Sequence, residues 1–202
     1  EYDDSILFSS RINKIIDNIN YEYIFLIYDV DIIIDFNEIY IKKYFDFMKQ
    51  NKIERLCTAV FNGSDTIIEN NIGICNLNRP LLTPSNHFVP CDNSPVIWNK
   101  NSLKIMLDKF PNITYGNMEL DDNIINYCKN NISCYGIQYT LLLNIKRNRG
   151  LTFSDKLSFL HITVKGQFIK PWNVYMDFEN DLINIIKKYN LNVDKIGFTI
   201  NN

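Results

Sequence analysis

Apolar positions follow two kinds of pattern along this chain. Ile12, Ile15, Ile16 and Ile19 recur at helical spacing, with Ser9 or Ser10 standing where an N-cap is expected. Tyr23 to Tyr28 is then an unbroken apolar run of strand length, the pattern of a strand covered on both faces. It breaks off at Asp29-Val30-Asp31. Helical spacing returns from about Asn37 to Gln50, with Ile41, Tyr44, Phe45 and Met48 on one face. Arg55 to Phe61 predicts the next strand, closed by the turn signal Asn62-Gly63. A short strand is expected around Gly73-Ile74-Cys75, and the three prolines between Arg79 and Asp92 predict an ordered loop. Pro95 to Trp98 reads as a strand followed by a helix from about Lys100 to Phe110. Glu119 to Asn130 reads as a helix with acids in its first turn, where the macrodipole favours them. Leu157 to Val164 predicts a late strand and Phe178 to Tyr189 a final helix. Strands alternating with helices predict an α/β layered fold, its mixed sheet mainly parallel and flanked by helices. No repeat and no Pro/Gly/Ser linker interrupts the pattern, so one domain is expected over 1–202.

Composition narrows the function without naming it. Hydrophobic residues make up 46% of the 202 and charged residues 22%, which is an ordinary globular balance. The formal net charge of -2 lacks the basic excess of a generic nucleic-acid binder. No apolar run reaches the ~18–20 residues that cross a bilayer, and no leader pattern opens the chain, so a soluble protein without a membrane span is expected. The 32 Ile and 29 Asn against a single Ala follow AT-rich codons more than structure, as in the genome of a giant virus, a protist or some bacteria. Five cysteines (Cys57, Cys75, Cys91, Cys128, Cys134) contain no CxxC pair, which predicts reduced, mostly buried thiols. The expected setting is a reducing cytoplasm, that of a host cell or a virion interior if the source is viral.

The strongest chemical signal is the acid pair that ends the first apolar run. In α/β sheets function gathers at the carboxyl ends of strands. Two carboxylates one residue apart on an extended segment project to one side and can share a hard cation such as Mn2+ or Mg2+. Such a cation could neutralise a diphosphate and help it leave. The plain alternative is that one Asp caps a turn and the other is solvated.

The segment SSRINKIIDNINYEYIFLIYDVDIII resembles the helix–strand–DxD element of GT-A glycosyltransferases. The resemblance implies that Asp31 is the principal metal ligand and that Asp29 lies toward the ribose and donor sugar. Asp121-Asp122-Asn123-Ile124-Ile125-Asn126 is similar to the DQDxLN signature of family 8 enzymes, the glycogenin and lipopolysaccharide galactosyltransferase type, with Asp122 in place of Gln and Asn123 in place of the second Asp. With Glu119 it also resembles the acidic helix start that supplies the base in inverting family 2 enzymes. Asp121, Asp122 and Glu119 are thus the catalytic candidates, contacting the donor sugar or serving as a general base; a solvated helix start is the alternative. His161 to Trp172 resembles the HxxGxxKPW element of family 8, where the His completes the metal shell and the Lys meets the diphosphate. Here four residues separate His161 from Gly166 and three separate Gly166 from Lys170, with Lys165 as a substitute for Lys170.

The implied ligand set is Asp29, Asp31 and His161 around Mn2+ or Mg2+. Asp29, Lys170, Gly166 and Arg11 are the candidates on the nucleotide-sugar side. Asn93-Ser94-Pro95-Val96-Ile97-Trp98 resembles the acceptor-lining segment of many GT-A enzymes. Asn93, Trp98 and Trp172 are therefore the substrate-binding candidates, Trp98 by stacking on a sugar ring or else as core filler. His87 is expected to be structural. The resemblance spans about Ser9 to Trp172, yet only 28 residues precede Asp29, so three alternatives stand: the sequence begins partway through a longer protein, the nucleotide-binding half comes from elsewhere, or this is a degenerate member that no longer transfers a sugar.

The resemblance implies a metal-dependent hexosyltransferase taking a nucleoside-diphosphate sugar, expected to be a UDP-sugar, to a hydroxyl of a glycan or glycoprotein. Family 8 implies retention of configuration, whereas the Glu119–Asp122 cluster read as a base implies inversion. Two rivals stand beside it. Four apolar residues followed by DxD also resemble haloacid-dehalogenase-type phosphatases, with Asp29 as nucleophile. A non-catalytic sugar- or nucleotide-binding module of a larger protein is the other.

Overall fold

The computed structural model describes residues 7–27, 31–61, 66–69, 72–78, 95–114, 118, 121–138, 145–148, 151–154, 157–161, 163–164, 167–169 and 179–199. The first helix, α1 (Phe8–Ile16), starts earlier than the serines suggest. Leu7 holds the N-cap position and gives no side-chain cap, while Ser9 is buried inside the first turn. Its hydroxyl donates instead to the Pro111 carbonyl, so a tertiary partner has claimed the group expected to cap the helix. Asn13 donates to Asp108 at 2.8 Å and Lys104 meets Asp17 at 2.8 Å, which ties α1 along α3 (Lys100–Lys109).

A six-stranded sheet forms the centre, in the order β1-β6-β3-β7-β5-β4. Its strands are β1 (Tyr23–Leu26), β3 (Arg55–Phe61), β4 (Thr66–Glu69), β5 (Ile72–Asn76), β6 (Val96–Asn99) and β7 (Cys134–Gln138). The mainly parallel sheet expected from the alternation of elements is not what forms: only β3 and β7 pair in parallel, and the other four pairs are antiparallel. The reason lies in the connections. Two residues join β4 to β5, enough for a hairpin and far too few for a parallel crossover. β6 runs reversed and inserts between β1 and β3. β1 is correspondingly half-buried and pairs through its β6 edge, where the apolar run had suggested a strand covered on both faces. All four of its side chains still pack against the main core, which accounts for the run.

Helices supply the other layers of that core. α2 (Glu38–Gln50) is capped by Asn37, whose side chain accepts from the Tyr40 N–H, and it buries Ile41, Tyr44, Phe47 and Met48. Phe45, expected on the buried face, is half-buried beside Tyr23 at 6.1 Å between ring centroids. α3 buries Leu103, Met106 and Leu107, and α4 (Asp122–Asn131) buries Ile124 and Cys128. Cys57, Cys75, Cys128 and Cys134 are all buried and none is disulfide-bonded. No described helix is long and apolar enough to cross a membrane.

One side chain fastens the turn between α4 and β7. The Asn78 amide donates toward the carbonyls of Cys128, Lys129 and Ile132 at 2.8–3.1 Å, and its oxygen accepts from the Cys134 N–H at 2.7 Å. Asn78→Ala removes this amide's hydrogen bonds to the turn, a loss of about 2 kcal/mol. Urea unfolding checks this: a midpoint unchanged from the parent chain contradicts the clamp.

Two smaller sheets complete the described structure. β2 (Asp31–Phe36), β10 (Leu157–His161), β9 (Leu151–Ser154) and β8 (Ile145–Asn148) form an antiparallel sheet in that order. β11 (Thr163–Val164), β12 (Gln167–Ile169) and β13 (Phe198–Thr199) form a third. The strand expected over Leu157 to Val164 is thus divided between two sheets. Ile32 and Ile34 of β2 pack around Leu182 of α5 (Glu179–Lys188), together with Val193 and Ile196 of α6 (Val193–Ile196).

Candidate functional site

β1, β3 and β7 point the same way, so their carboxyl ends lie along one edge of the central sheet. β1 ends at that edge with Leu26, and Asp31 is the first residue of β2. There the small sheet makes a long-range juxtaposition. Asp31 and His161 are direct cross-strand partners in the antiparallel β2–β10 pair, although 130 positions separate them in the chain. Residues so opposed share one face of a sheet, with Cα atoms about 4.5–5.5 Å apart. Strand alternation says which face. Ile32 and Ile34 pack against the Leu182 cluster, so positions 31 and 33 belong to the opposite side, where Asp31 is half-buried and Ile33 is 40% exposed. A register shift between Ser158 and Phe159, beyond the two pairs that follow Asp31–His161, absorbs one extra residue of β2.

A carboxylate position beside an imidazole position is a donor set suited to a divalent cation, oxygen for a hard ion and nitrogen for a borderline one. Asp29, the expected companion acid, lies outside the described residues. Among the described residues no three His, Cys, Asp or Glu groups come together as a metal site. Glu119, Gly166, Lys170, Trp172, Asn93, His87 and Lys165 also lie outside the described residues. In the chain, Lys165 and Gly166 link β11 to β12, and Lys170 follows β12 directly.

The remaining candidates have definite places. Asp121 is the N-cap of α4, its Oδ1 accepting from the N–H groups of Asn123 at 2.8 Å and Ile124 at 3.4 Å. Asp122 is exposed in the first turn, where the helix dipole favours a negative charge. Arg11 is half-buried on α1. For Trp98 the structure overturns the sugar-stacking role and leaves the core one: it is 0% exposed on β6, between β1 and β3, with the Arg55 guanidinium 5.4 Å from its ring centroid. Packing covers both faces of a ring in that position, so it serves as core and offers no platform to a sugar.

Asp121 also lines two adjoining clefts, of about 450 and 340 Å3, that share Lys109 and Phe110. Asn123, Asn126, Tyr127 and Asn130 border the larger one. Phe110 meets Tyr127 edge-on at 5.5 Å, and the Lys109 ammonium stands 5.4 Å from the Tyr127 ring centroid. Burial holds the Tyr127 phenol above its ordinary range, with smaller upward pushes from Cys128 and Glu54, so it stays a neutral O–H donor at physiological pH. Among the described residues, none of β2 or β10 lines either cleft. Sequence reasoning missed Lys109, Phe110 and Tyr127. The available signal was the i, i+3, i+4, i+7 spacing of Asn123, Asn126, Tyr127 and Asn130 on one helix face.

Comparison of the chain with family models, with curated proteins and with solved structures returns no match.

Proposed function

We propose that this chain is the metal-binding part of a GT-A-type glycosyltransferase, which moves a hexose from a nucleoside diphosphate, UDP by preference, to a hydroxyl acceptor. The observation that carries the reading is the register of Asp31 against His161. Two segments that resemble the family's metal-binding elements, and that nothing in local sequence links, sit as cross-strand neighbours where β2 begins. The donor set fits the ion: Asp29, Asp31 and His161 would hold Mn2+ or Mg2+. Bound there, the ion would supply charge neutralisation to a departing diphosphate.

The chain's own residues have the other tasks. Strand pairing sets the backbone positions of Asp31 and His161 directly against each other. A neutral imidazole is required of His161, since a protonated ring cannot ligate. Lys170, or Lys165 as its substitute, offsets phosphate charge that grows as the glycosidic bond breaks. Asp121 is committed by one oxygen to capping α4, so the catalytic base is sought in Asp122 and Glu119.

A thermal-shift panel of nucleotide sugars, with and without Mn2+, tests this. Ligand held at about 100 times its Kd stabilises the folded state by about 2.7 kcal/mol, which raises the midpoint of a chain this size by about 5–10 °C. The rise is expected for one donor and only with metal. A panel in which no donor acts, or in which chelator leaves the rise intact, contradicts the proposal.

A further inference from the structure

The clefts beside α4 belong to none of the roles above, and their chemistry is specific. Phe110 and Tyr127 rest on the core on one side and line the cleft on the other. Asn123, Asn126 and Asn130 stand exposed along the same helix face. Asn130 donates to the Asn126 carbonyl at 2.8 Å, which fixes its amide along the groove. Among the described residues the charges on the lining are one ammonium, Lys109, and one carboxylate, Asp121, which offset each other. Half-exposed aromatic surface flanked by amides, with no net charge, suits a ligand that presents apolar C–H faces and many hydroxyls. A volume of about 450 Å3 is within the range of small-ligand sites. From Asp121 to Asn130 the groove follows α4 for about 13 Å, the extent of a short oligosaccharide rather than a single sugar.

Direction follows from topology. A two-residue turn joins the end of α4 to β7, so the start of the helix lies toward the carboxyl edge of the sheet, the edge at which the chain leaves β1 for Asp31. We propose that this groove binds an extended, uncharged acceptor glycan, its terminal sugar at Asp121 and its further sugars along α4 toward Asn130. The proposal rests on the transferase reading and deepens it by naming the acceptor class.

The test needs neither donor nor metal. Maltotetraose, cellotetraose and chitotetraose are titrated into 15N-labelled protein while the side-chain amides of Asn123, Asn126 and Asn130 are followed by NMR. At least one probe is expected to shift these amides saturably. Tyr127→Ala is expected to weaken that binding about fivefold, the worth of one aromatic contact. Asn126→Arg, at an exposed helix position that leaves the core untouched, is expected to weaken it at least as much. No shift with any probe, or variants that bind as the parent does, overturns the groove. Amide shifts without any metal-dependent donor response uphold the glycan site and count against the transferase. A donor response with silent amides does the reverse.

Discussion

Trp98→Ala is expected to cost about 4 kcal/mol, the range for emptying a fully buried indole. A single domain holds only about 5–15 kcal/mol in total, so most of the stability margin goes. The loss has two sources. The fully buried indole belongs to the main core, and its removal opens a cavity there. It also leaves the buried Arg55 guanidinium without the ring that stands 5.4 Å away. The indole N–H finds no acceptor among the described residues, so Trp98→Phe sacrifices volume and no hydrogen bond and is expected to cost about half as much. Urea unfolding with far-UV detection measures both. A loss below about 1 kcal/mol for the alanine variant would place this side chain at the surface, where a sugar could stack on it.

Asp31→Ala and His161→Ala are each expected to lower metal-dependent hydrolysis of the donor by about 100-fold or more, since even outer-shell partners of a metal contribute 10–100-fold. Stability should change little, because position 31 lies on the face opposite the Leu182 cluster. Additivity separates one ion from two unrelated effects. Groups that act through a single ion lose it together, so the double variant should fall no further than the worse single one. Additive losses would mean that the two residues act apart. A phosphatase using Asp29 makes a different forecast: phosphate release from simple monoesters with Mg2+, insensitive to His161→Ala.

Element type was legible in the sequence where one period dominated. The span expected for β3, Arg55 to Phe61, is the span observed, and α2 starts within a residue of its Asn37 cap. Pairing was not legible. A continuous apolar run says that both faces touch something apolar, and β1 meets that condition at the margin of a mixed sheet as well as it would inside a parallel one. Direction is decided by connections and by partners far along the chain, such as the reversed β6 lodged between β1 and β3. The acid at the start of α4 shows a different limit. The same carboxylate that reads as a catalytic group satisfies two backbone N–H groups at a helix terminus, and local geometry gives it that task first. The Asp31–His161 pairing could be suspected only from family resemblance, because no local pattern spans the intervening chain. The α4 groove escaped notice because exposed asparagines in an Asn-rich chain look like a solvated face until Phe110 and Tyr127 are seen beside them.

The central claim is that a carboxylate and an imidazole from opposed strands hold one divalent ion. Pulsed electron paramagnetic resonance on the Mn2+-loaded protein tests it directly, through the nitrogen coupling of a ligated imidazole. The chain has two histidines, His87 and His161, so the assignment needs a single variant. Nitrogen modulation is expected in the parent chain, lost in His161→Ala and retained in His87→Ala. A parent spectrum without nitrogen coupling, or one that survives His161→Ala, contradicts it.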